Sequence, residues 1–150
     1  MIEMKRVLIL CTGNSARSQM AEGLLRHFHG DSFQVYSAGT EPSFVRPQAI
    51  RVMNEIGIEI STQRSKSIDE FLAEKFDYVI TVCDNANERC PIFPGAPNRI
   101  HWSVEDPAAV AGDEETQLAA FREARKELER RLEVFAKNEL SRTKDLDSFY

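Results

Sequence analysis

The beginning of the chain changes from a short apolar block to a segment with apolar residues at helical spacing. Residues 6–10, RVLIL, contain a continuous apolar run typical of a strand buried on both faces of a parallel sheet. Residues 20–30, MAEGLLRHFHG, place their larger apolar side chains on one helical face: Met20, Leu24, Leu25 and Phe28. Gly30 stands where such a helix would end. The pattern predicts a strand, a loop and a helix in that order.

The rest of the chain continues this alternation. Further strands are predicted at 33–39, 77–82 and 98–102, further helices at 47–57 and from 115 to about 137, and a short amphipathic piece at 67–76. The two later helices carry these apolar stripes: Ala49, Val52, Met53 and Ile56, then Leu118, Phe121, Leu128, Leu132 and Phe135. Since no repeat or long linker interrupts the alternation, we expect one α/β domain spanning residues 1–150.

Three segments follow predicted strands directly and are therefore candidates for a binding site. They begin at Cys11, at Cys83 and after Trp102. In open α/β sheets, ligands bind beyond the carboxyl ends of the strands, where the strand order reverses. Neighbouring strands lie about 4.8 Å apart, so adjacent strand ends can bring Cys11 and Cys83 together.

Composition and charge narrow the possible functions. The chain has 150 residues, 42% hydrophobic and 29% charged, and no apolar run near the roughly 18 residues of a membrane helix. The first ten residues lack the pattern of a signal peptide, so we expect a cytoplasmic protein. A net charge of −5 gives no general attraction for nucleic acid or anionic lipid. Any anion site must be local.

Cys11 opens a run of small polar residues that leads into the first predicted helix. A turn from strand to helix leaves successive backbone N–H groups unpaired, and the helix adds the positive end of its dipole. Such a loop can cradle an oxyanion with these residues: Thr12, Gly13, Asn14, Ser15, Ala16, Arg17 and Ser18. We expect Cys11 to exist largely as thiolate there. The alternative is a cysteine that simply fills the core.

The chain has three cysteines, and this small, odd number argues against a structural disulfide framework. Seven residues separate Cys83 from Cys90, a rise of about 10.5 Å in a helix, whereas a disulfide needs Cα atoms within roughly 7 Å. A bond between them would require the segment to bend or unwind, and Asp84 and the asparagines between them are poor helix formers. Two buried bystander thiols are an alternative; zinc is disfavoured by the spacing and by His101 being the nearest histidine.

Residues 11–23, CTGNSARSQMAEG, resemble the loop of the low-molecular-weight protein tyrosine phosphatase superfamily. They are still more similar to its thioredoxin-coupled arsenate reductase branch, and the resemblance continues through VYSAGTEP, DYVITVCDNANERCP and HWSVEDPA. It implies a single three-layer domain with a four-stranded parallel sheet in the order 2-1-3-4 and helices on its faces.

The resemblance also implies roles for individual residues. Cys11 would be the nucleophile, Arg17 the clamp on the oxyanion, and Asp106 the general acid, although an Asp-Pro pair is also an ordinary loop feature. Cys83 and Cys90 would form the redox disulfide of a relay that reduces arsenate to arsenite and is regenerated by thioredoxin. No cofactor and no bound metal are expected.

The sequence departs from the family at two places. Ala16 stands where many relatives carry a further cysteine, so a disulfide within the loop is impossible. Related reductases can bind potassium through residues that match Asn14, Glu22 and Ser37, but the fourth, acidic position is Lys66. We hypothesise that the Lys66 ammonium replaces the metal ion; a surface salt bridge is the alternative.

Two other functions remain compatible with the sequence. The first is a phosphatase of the same fold that hydrolyses phosphate monoesters through a phosphocysteine, with Cys83 and Cys90 incidental. Tyrosine phosphatases of this group usually carry tyrosines near the general acid, and residues 103–115 contain none. The second is an oxyanion-binding or redox-sensing module without turnover, which would leave Asp106 without a role.

Overall fold

The sheet of the protein, described here from a computed structural model, consists of four parallel strands. The structure describes residues 4–95 and 97–147, with side chains up to residue 142. The strands are β1 (Lys5–Cys11), β2 (Phe33–Gly39), β3 (Tyr78–Thr81) and β4 (Asn98–His101). Their order is β2-β1-β3-β4, all neighbours are parallel, and the expected order 2-1-3-4 is confirmed.

Strand β1 lies in the middle of the sheet and is covered on both faces. Successive side chains of a strand point to opposite faces, and the four residues from Val7 to Leu10 are all fully buried. Layers of helices must therefore cover both sides, as the continuous apolar run predicts. Leu10 is paired with Ala38 on one side and with Thr81 on the other, so β1 and its two neighbours end together.

Four helices surround the sheet: α1 (Arg17–His29), α2 (Pro47–Asn54), α3 (Asp84–Arg89) and α4 (Glu114–Asp147). Helix α4 packs on α1 and α2, whereas α3 packs against β1 and β3. Single 3-10 turns occur at Ile68–Phe71 and Pro107–Ala109. None of the helices among the described residues has the length and apolar character needed to cross a membrane.

Most of the predicted apolar stripes are confirmed as core. They pack around a buried cluster that includes Met20, Leu24, Leu25, Val52, Met53, Leu118, Phe121, Leu128, Leu132 and Phe135. Phe28 differs, because it lies near the end of α1 and remains 49% exposed. The amphipathic piece at 67–76 forms only one 3-10 turn, and α4 continues past the expected end near residue 137 to Asp147.

The C-terminal end of α2 is fastened to α4 by Glu55. Its carboxylate accepts three hydrogen bonds from Arg122, at 2.9, 3.2 and 2.8 Å, and lies 3.3 Å from a guanidinium nitrogen of Arg125. The same nitrogen of Arg125 donates to the carbonyl of Val52. These contacts, led by the hydrogen bond from Arg122, lower the pKa of Glu55 to about 2.

We expect the Glu55→Gln variant to be less stable by about 1 kcal/mol at pH 7, since solvent screens partly exposed ion pairs. A carboxyl whose pKa is lowered by folding stabilises above its unfolded value and loses that contribution as pH falls toward the folded value. The difference between the two proteins should therefore shrink between pH 4.5 and 2. Urea unfolding at several pH values measures it. Glu115→Gln, a more exposed partner of Arg122, is the control, and an equal loss there would contradict the prediction.

Candidate active site

The loop between β1 and α1 turns sharply at Asn14. This residue has a φ of +46°, in the left-handed region that asparagine tolerates better than most residues. Its buried side-chain amide donates to Ser18 Oγ at 2.7 Å and to Ser37 Oγ at 2.9 Å. Its side-chain oxygen accepts from the Lys66 N–H and from Gln19 Nε2. Asn14 therefore fixes the shape of the loop from within the core.

The carbonyl groups of the loop are held on one side by the segment that follows β2. Backbone N–H groups of this segment donate to loop carbonyls in four pairs: Thr40 to Cys11, Glu41 to Thr12, Ser43 to Gly13 and Arg46 to Ser15. Among the described residues, the N–H groups of Gly13, Asn14 and Ser15 have no acceptor. The loop thus offers unpaired donors, as an oxyanion cradle requires.

Gly39, at the end of β2, allows the loop to approach this closely. A Cβ atom at residue 39 would lie 2.5 Å from the Thr12 carbonyl oxygen and 2.8 Å from the Asn14 nitrogen. Both neighbours are backbone atoms and cannot move without changing the loop. Any larger residue at this position would therefore distort the cradle.

Cys11 lies at the end of β1 and is 2% exposed. Its Sγ is 2.8 Å from Ser18 Oγ. Because Ser18 Oγ already accepts a hydrogen bond from Asn14, its own hydrogen is free to be donated to the sulfur. The Ser18 hydroxyl therefore contacts the sulfur directly, and it can donate a hydrogen bond to it.

Arg17 connects the loop to the segment after β4. One of its nitrogens donates to the carbonyl of Val104 at 2.8 Å, and another lies 3.9 Å from Asp106 Oδ2. Asp106 caps the 3-10 turn at Pro107–Ala109 through the Ala108 N–H. Cys11, Arg17 and Asp106 line one cavity of about 240 Å³ together with Thr12, Gly13, Ser15, Ala16, Glu41, Ser43, Arg46 and Ala108.

Cys83 lies close to this loop, at the start of α3. Its sulfur is 3.3 Å from Thr12 Oγ1 and accepts the Ala86 N–H, so that Cys83 caps the helix. Thr12 Oγ1 also accepts a hydrogen bond from Asn85 at 3.0 Å. The structure therefore joins the residue after Cys11 to Cys83 through one hydroxyl, as expected for neighbouring strand ends.

Cys90 lies at the other end of α3 and is a free, half-buried thiol, as Cys11 and Cys83 are free thiols. Burial raises the pKa of Cys90, although Arg99 acts in the opposite direction. The segment between Cys83 and Cys90 is a helix of six residues despite its poor helix formers. His101 fastens this helix to β4, since its Nε2 is 2.8 Å from Asp84 Oδ1 and its hydrogen bond keeps the pKa of Asp84 below the ordinary value.

Lys66 lies beside Glu22 behind the loop. Its Nζ is 3.6 Å from Glu22 Oε1, and their side chains are only 12% and 4% exposed. Burial lowers the pKa of Lys66, while the Glu22 carboxylate raises it. Ser37 donates to the same carboxylate oxygen at 2.7 Å. The pair is thus far less exposed than an ordinary surface salt bridge. Among the described residues, no cluster of three or more His, Cys, Asp or Glu side chains could hold a metal ion.

The sequence interpretation missed the wall contributed by residues 39–46. Gly39, Glu41, Ser43 and Arg46 all contact the loop or line its cavity. The motif VYSAGTEP contributed only to the resemblance, and the end of the predicted strand at residue 39 was the available signal for the wall. The other expected site residues, except Cys83, Cys90, Asn14 and Ser18, line the cavity itself.

Comparison with known proteins shows the family of this chain. Residues 6–146 match the sequence profile described as low molecular weight phosphotyrosine protein phosphatase. The chain belongs to this family. The resemblance to its arsenate reductase branch is confirmed as well, because the chain is 47% identical to the arsenate reductase of Halalkalibacterium halodurans over 132 residues, 88% of this chain and 95% of that protein.

Solved structures of the family have the same fold. A thioredoxin-dependent arsenate reductase of Corynebacterium glutamicum aligns with a TM-score of 0.71 at 30% identity, covering 92% of this chain and 63% of that one. The YwlE arginine phosphatase of Geobacillus stearothermophilus aligns with a TM-score of 0.76 at 25% identity, covering 94% and 96%. Family members of this fold are therefore named as arsenate reductases and as phosphatases.

We expect Ser18→Ala to slow the alkylation of Cys11 by iodoacetamide at neutral pH about tenfold, since a hydrogen bond to a charged group contributes roughly 1.5–3 kcal/mol. Mass spectrometry of the Cys11 peptide measures the rate. The exposed Ser61, changed to alanine, is the control. An unchanged rate in a folded Ser18→Ala protein would show that the hydroxyl does not stabilise the thiolate.

Proposed function

We propose that this protein is an arsenate reductase that converts arsenate to arsenite through a relay of Cys11, Cys83 and Cys90 and is regenerated by thioredoxin. One observation carries the proposal, namely the arrangement of the three cysteines. The buried Cys11 lies in a loop with unpaired backbone amides, and the hydroxyl of the next residue, Thr12, contacts Cys83. Cys83 caps the start of α3, and Cys90 lies at the end of this helix. The names of the relatives support the same reaction.

In the first step, arsenate binds to the loop and Arg17. The Cys11 thiolate attacks arsenic, an As–S bond forms, and one oxygen leaves as water. The leaving oxygen must take up protons, and Asp106 is the acid we assign to this step because it lies 3.9 Å from Arg17 on the same cavity. The loop amides and Arg17 stabilise the charge on the remaining oxygens.

In the second step, Cys83 attacks the sulfur of Cys11. A Cys11–Cys83 disulfide forms, the As–S bond breaks, and its electron pair leaves with arsenic as arsenite. Two thiols are oxidised while arsenic is reduced by two electrons, so the step balances. Thr12 supports it by keeping Cys83 beside the loop, with its hydroxyl 3.3 Å from the sulfur.

In the third step, Cys90 attacks Cys83 and releases Cys11 as thiolate. The Cys83–Cys90 disulfide cannot span an intact helix, so α3 must unwind. A disulfide in an unwound surface segment is accessible to exchange with the dithiol of thioredoxin. Burial raises the pKa of Cys90 in the intact helix. Unwinding of α3 would expose this thiol to solvent, lower its pKa and so favour the ionised form that attacks Cys83.

A second candidate function is hydrolysis of phosphate monoesters. The cradle, Cys11, Arg17 and Asp106 would serve it equally well, because phosphate and arsenate have the same shape and charge. The match to the phosphotyrosine protein phosphatase profile favours it. In that case Cys83 and Cys90 would have no chemical role, and the two functions separate experimentally at Cys90.

We expect Cys90→Ser to stop arsenate reduction with thioredoxin after about one arsenite per chain, because the Cys11–Cys83 disulfide can no longer be passed outward. Hydrolysis of a small aryl phosphate should stay within about twofold of wild type. Cys11→Ser is the control and should abolish both activities. If the wild-type protein hydrolyses the ester but does not reduce arsenate, the phosphatase function is favoured. If it turns over neither substrate, an oxyanion-binding or redox-sensing module is favoured.

We further propose that the Lys66 ammonium takes the position of a potassium ion beside Glu22. The buried pair and its link through Ser37 and Asn14 to the loop support this. Activity and melting temperature of the wild-type protein should then be the same in potassium and sodium chloride. In Lys66→Asp, which removes the ammonium and adds a carboxylate, potassium should raise the melting temperature selectively. Strong potassium dependence of the wild-type protein would refute the proposal.

A further inference from the structure

Arg46 is tied to the loop although it lies outside the loop motif. Its backbone N–H donates to the Ser15 carbonyl at 2.9 Å, immediately before α2 begins at Pro47. Ser43 makes the corresponding bond to Gly13 at 3.1 Å. The wall that carries Arg46 therefore keeps a fixed distance from the cradle, and Arg46 lines the cavity that also contains Cys11 and Arg17.

The guanidinium of Arg46 has unused hydrogen-bonding capacity. Its Nε is buried and has no partner among the described residues, and no described carboxylate forms an ion pair with it. The next arginine of the chain behaves differently, since Arg51 pairs with Glu114 at 3.0 Å. A buried charged donor without an acceptor is unfavourable, and an anion in the cavity would provide the missing acceptor.

The carboxylates that line the cavity do not neutralise Arg46. Glu41 pairs with Arg89 of α3 at 2.8 Å, and Asp106 lies near Arg17 at 3.9 Å. Phe44 lies beside Arg46, with the guanidinium carbon 5.4 Å from its ring centre. Stacking on an aromatic ring holds a guanidinium without consuming its hydrogen-bond donors. The cavity thus contains a second cation that is fixed in place and free to bind.

We propose that Arg46 is a substrate-binding residue that contacts the tetrahedral oxyanion held by the loop, with Phe44 as its positioning residue. The inference rests on the proposed function for the identity of the substrate, but its chemistry applies to any doubly charged tetrahedral oxyanion. The loop amides and Arg17 contact oxygens from one wall, and Arg46 provides a planar pair of donors from the wall at residues 40–46. A second guanidinium compensates the second negative charge locally in a chain of net charge −5.

The test uses inorganic phosphate as the probe and the reduced, full-length protein. We expect Arg46→Gln to weaken phosphate binding, measured by calorimetry at low salt, about tenfold, because a charge-assisted hydrogen bond is lost. Arg46→Lys should recover part of the affinity, since it keeps the charge without the planar fork. Phe44→Ala should weaken binding about two- to threefold. In arsenate turnover, Arg46→Gln should raise KM more than it lowers kcat.

Arg51→Gln is the matched control, because Arg51 lies on α2 and already has Glu114 as its partner. It should leave phosphate binding unchanged. Equal weakening of phosphate binding by both glutamine variants would show that only the net charge of the protein matters, and this would overturn the inference. Unchanged phosphate binding in an Arg46→Gln protein with a normal melting temperature would also overturn it. If Arg46→Gln does not fold, Arg46→Lys and Phe44→Ala decide, and unchanged phosphate binding in both would overturn it.

The failure of this inference and that of the proposed function can be distinguished. Phosphate binding that depends on Arg46 supports the inference even if the protein does not reduce arsenate with thioredoxin. The opposite result is that the wild-type protein reduces arsenate, while substitution of Arg46 changes neither the phosphate affinity nor the KM for arsenate. That result overturns the inference and leaves the proposed function intact.

Discussion

The rest of the site depends on how the peptide groups of residues 12–16 are oriented. Backbone N–H groups of residues 40–46 hold the loop carbonyls, and the left-handed turn at Asn14 is fixed by its own side chain. Because the N–H and C=O of a peptide group point in opposite directions, occupying the carbonyls on one side leaves the N–H groups for a ligand on the other. The proposed anion site would therefore be made mainly by backbone, with side chains such as Arg17 completing it.

A buried ion pair behind the loop is connected to Cys11 by hydrogen bonds between side chains. From the buried pair of Lys66 and Glu22, hydrogen bonds run through Ser37, Asn14 and Ser18 to the sulfur of Cys11. Each donor in this series has an acceptor among the described residues. A chain with an overall negative charge can thus keep a thiol and two arginines around one small cavity.

The sequence was sufficient for the central elements and for the loop, because continuous apolar runs and a strand-to-helix turn are local features. It was wrong about Phe28. Helical spacing assigns this residue to the buried face, but its side chain lies in the last turn of α1 and is 49% exposed. It did not identify Arg46 or Glu41 as parts of the cavity wall. Their contacts with the loop join residues about thirty positions apart, and only the parallel pairing of β1 and β2 brings these positions together.

The start of α3 depends on a sulfur atom. Cys83 accepts the Ala86 N–H and so occupies the place that an oxygen-bearing side chain takes in most helices. A sulfur that has entered a disulfide is bonded to a second sulfur, so its position relative to this N–H changes. In the proposed relay, each change in the redox state of Cys83 would therefore alter the helix–coil balance of α3, so the oxidised and reduced proteins would differ in the order of a short surface segment.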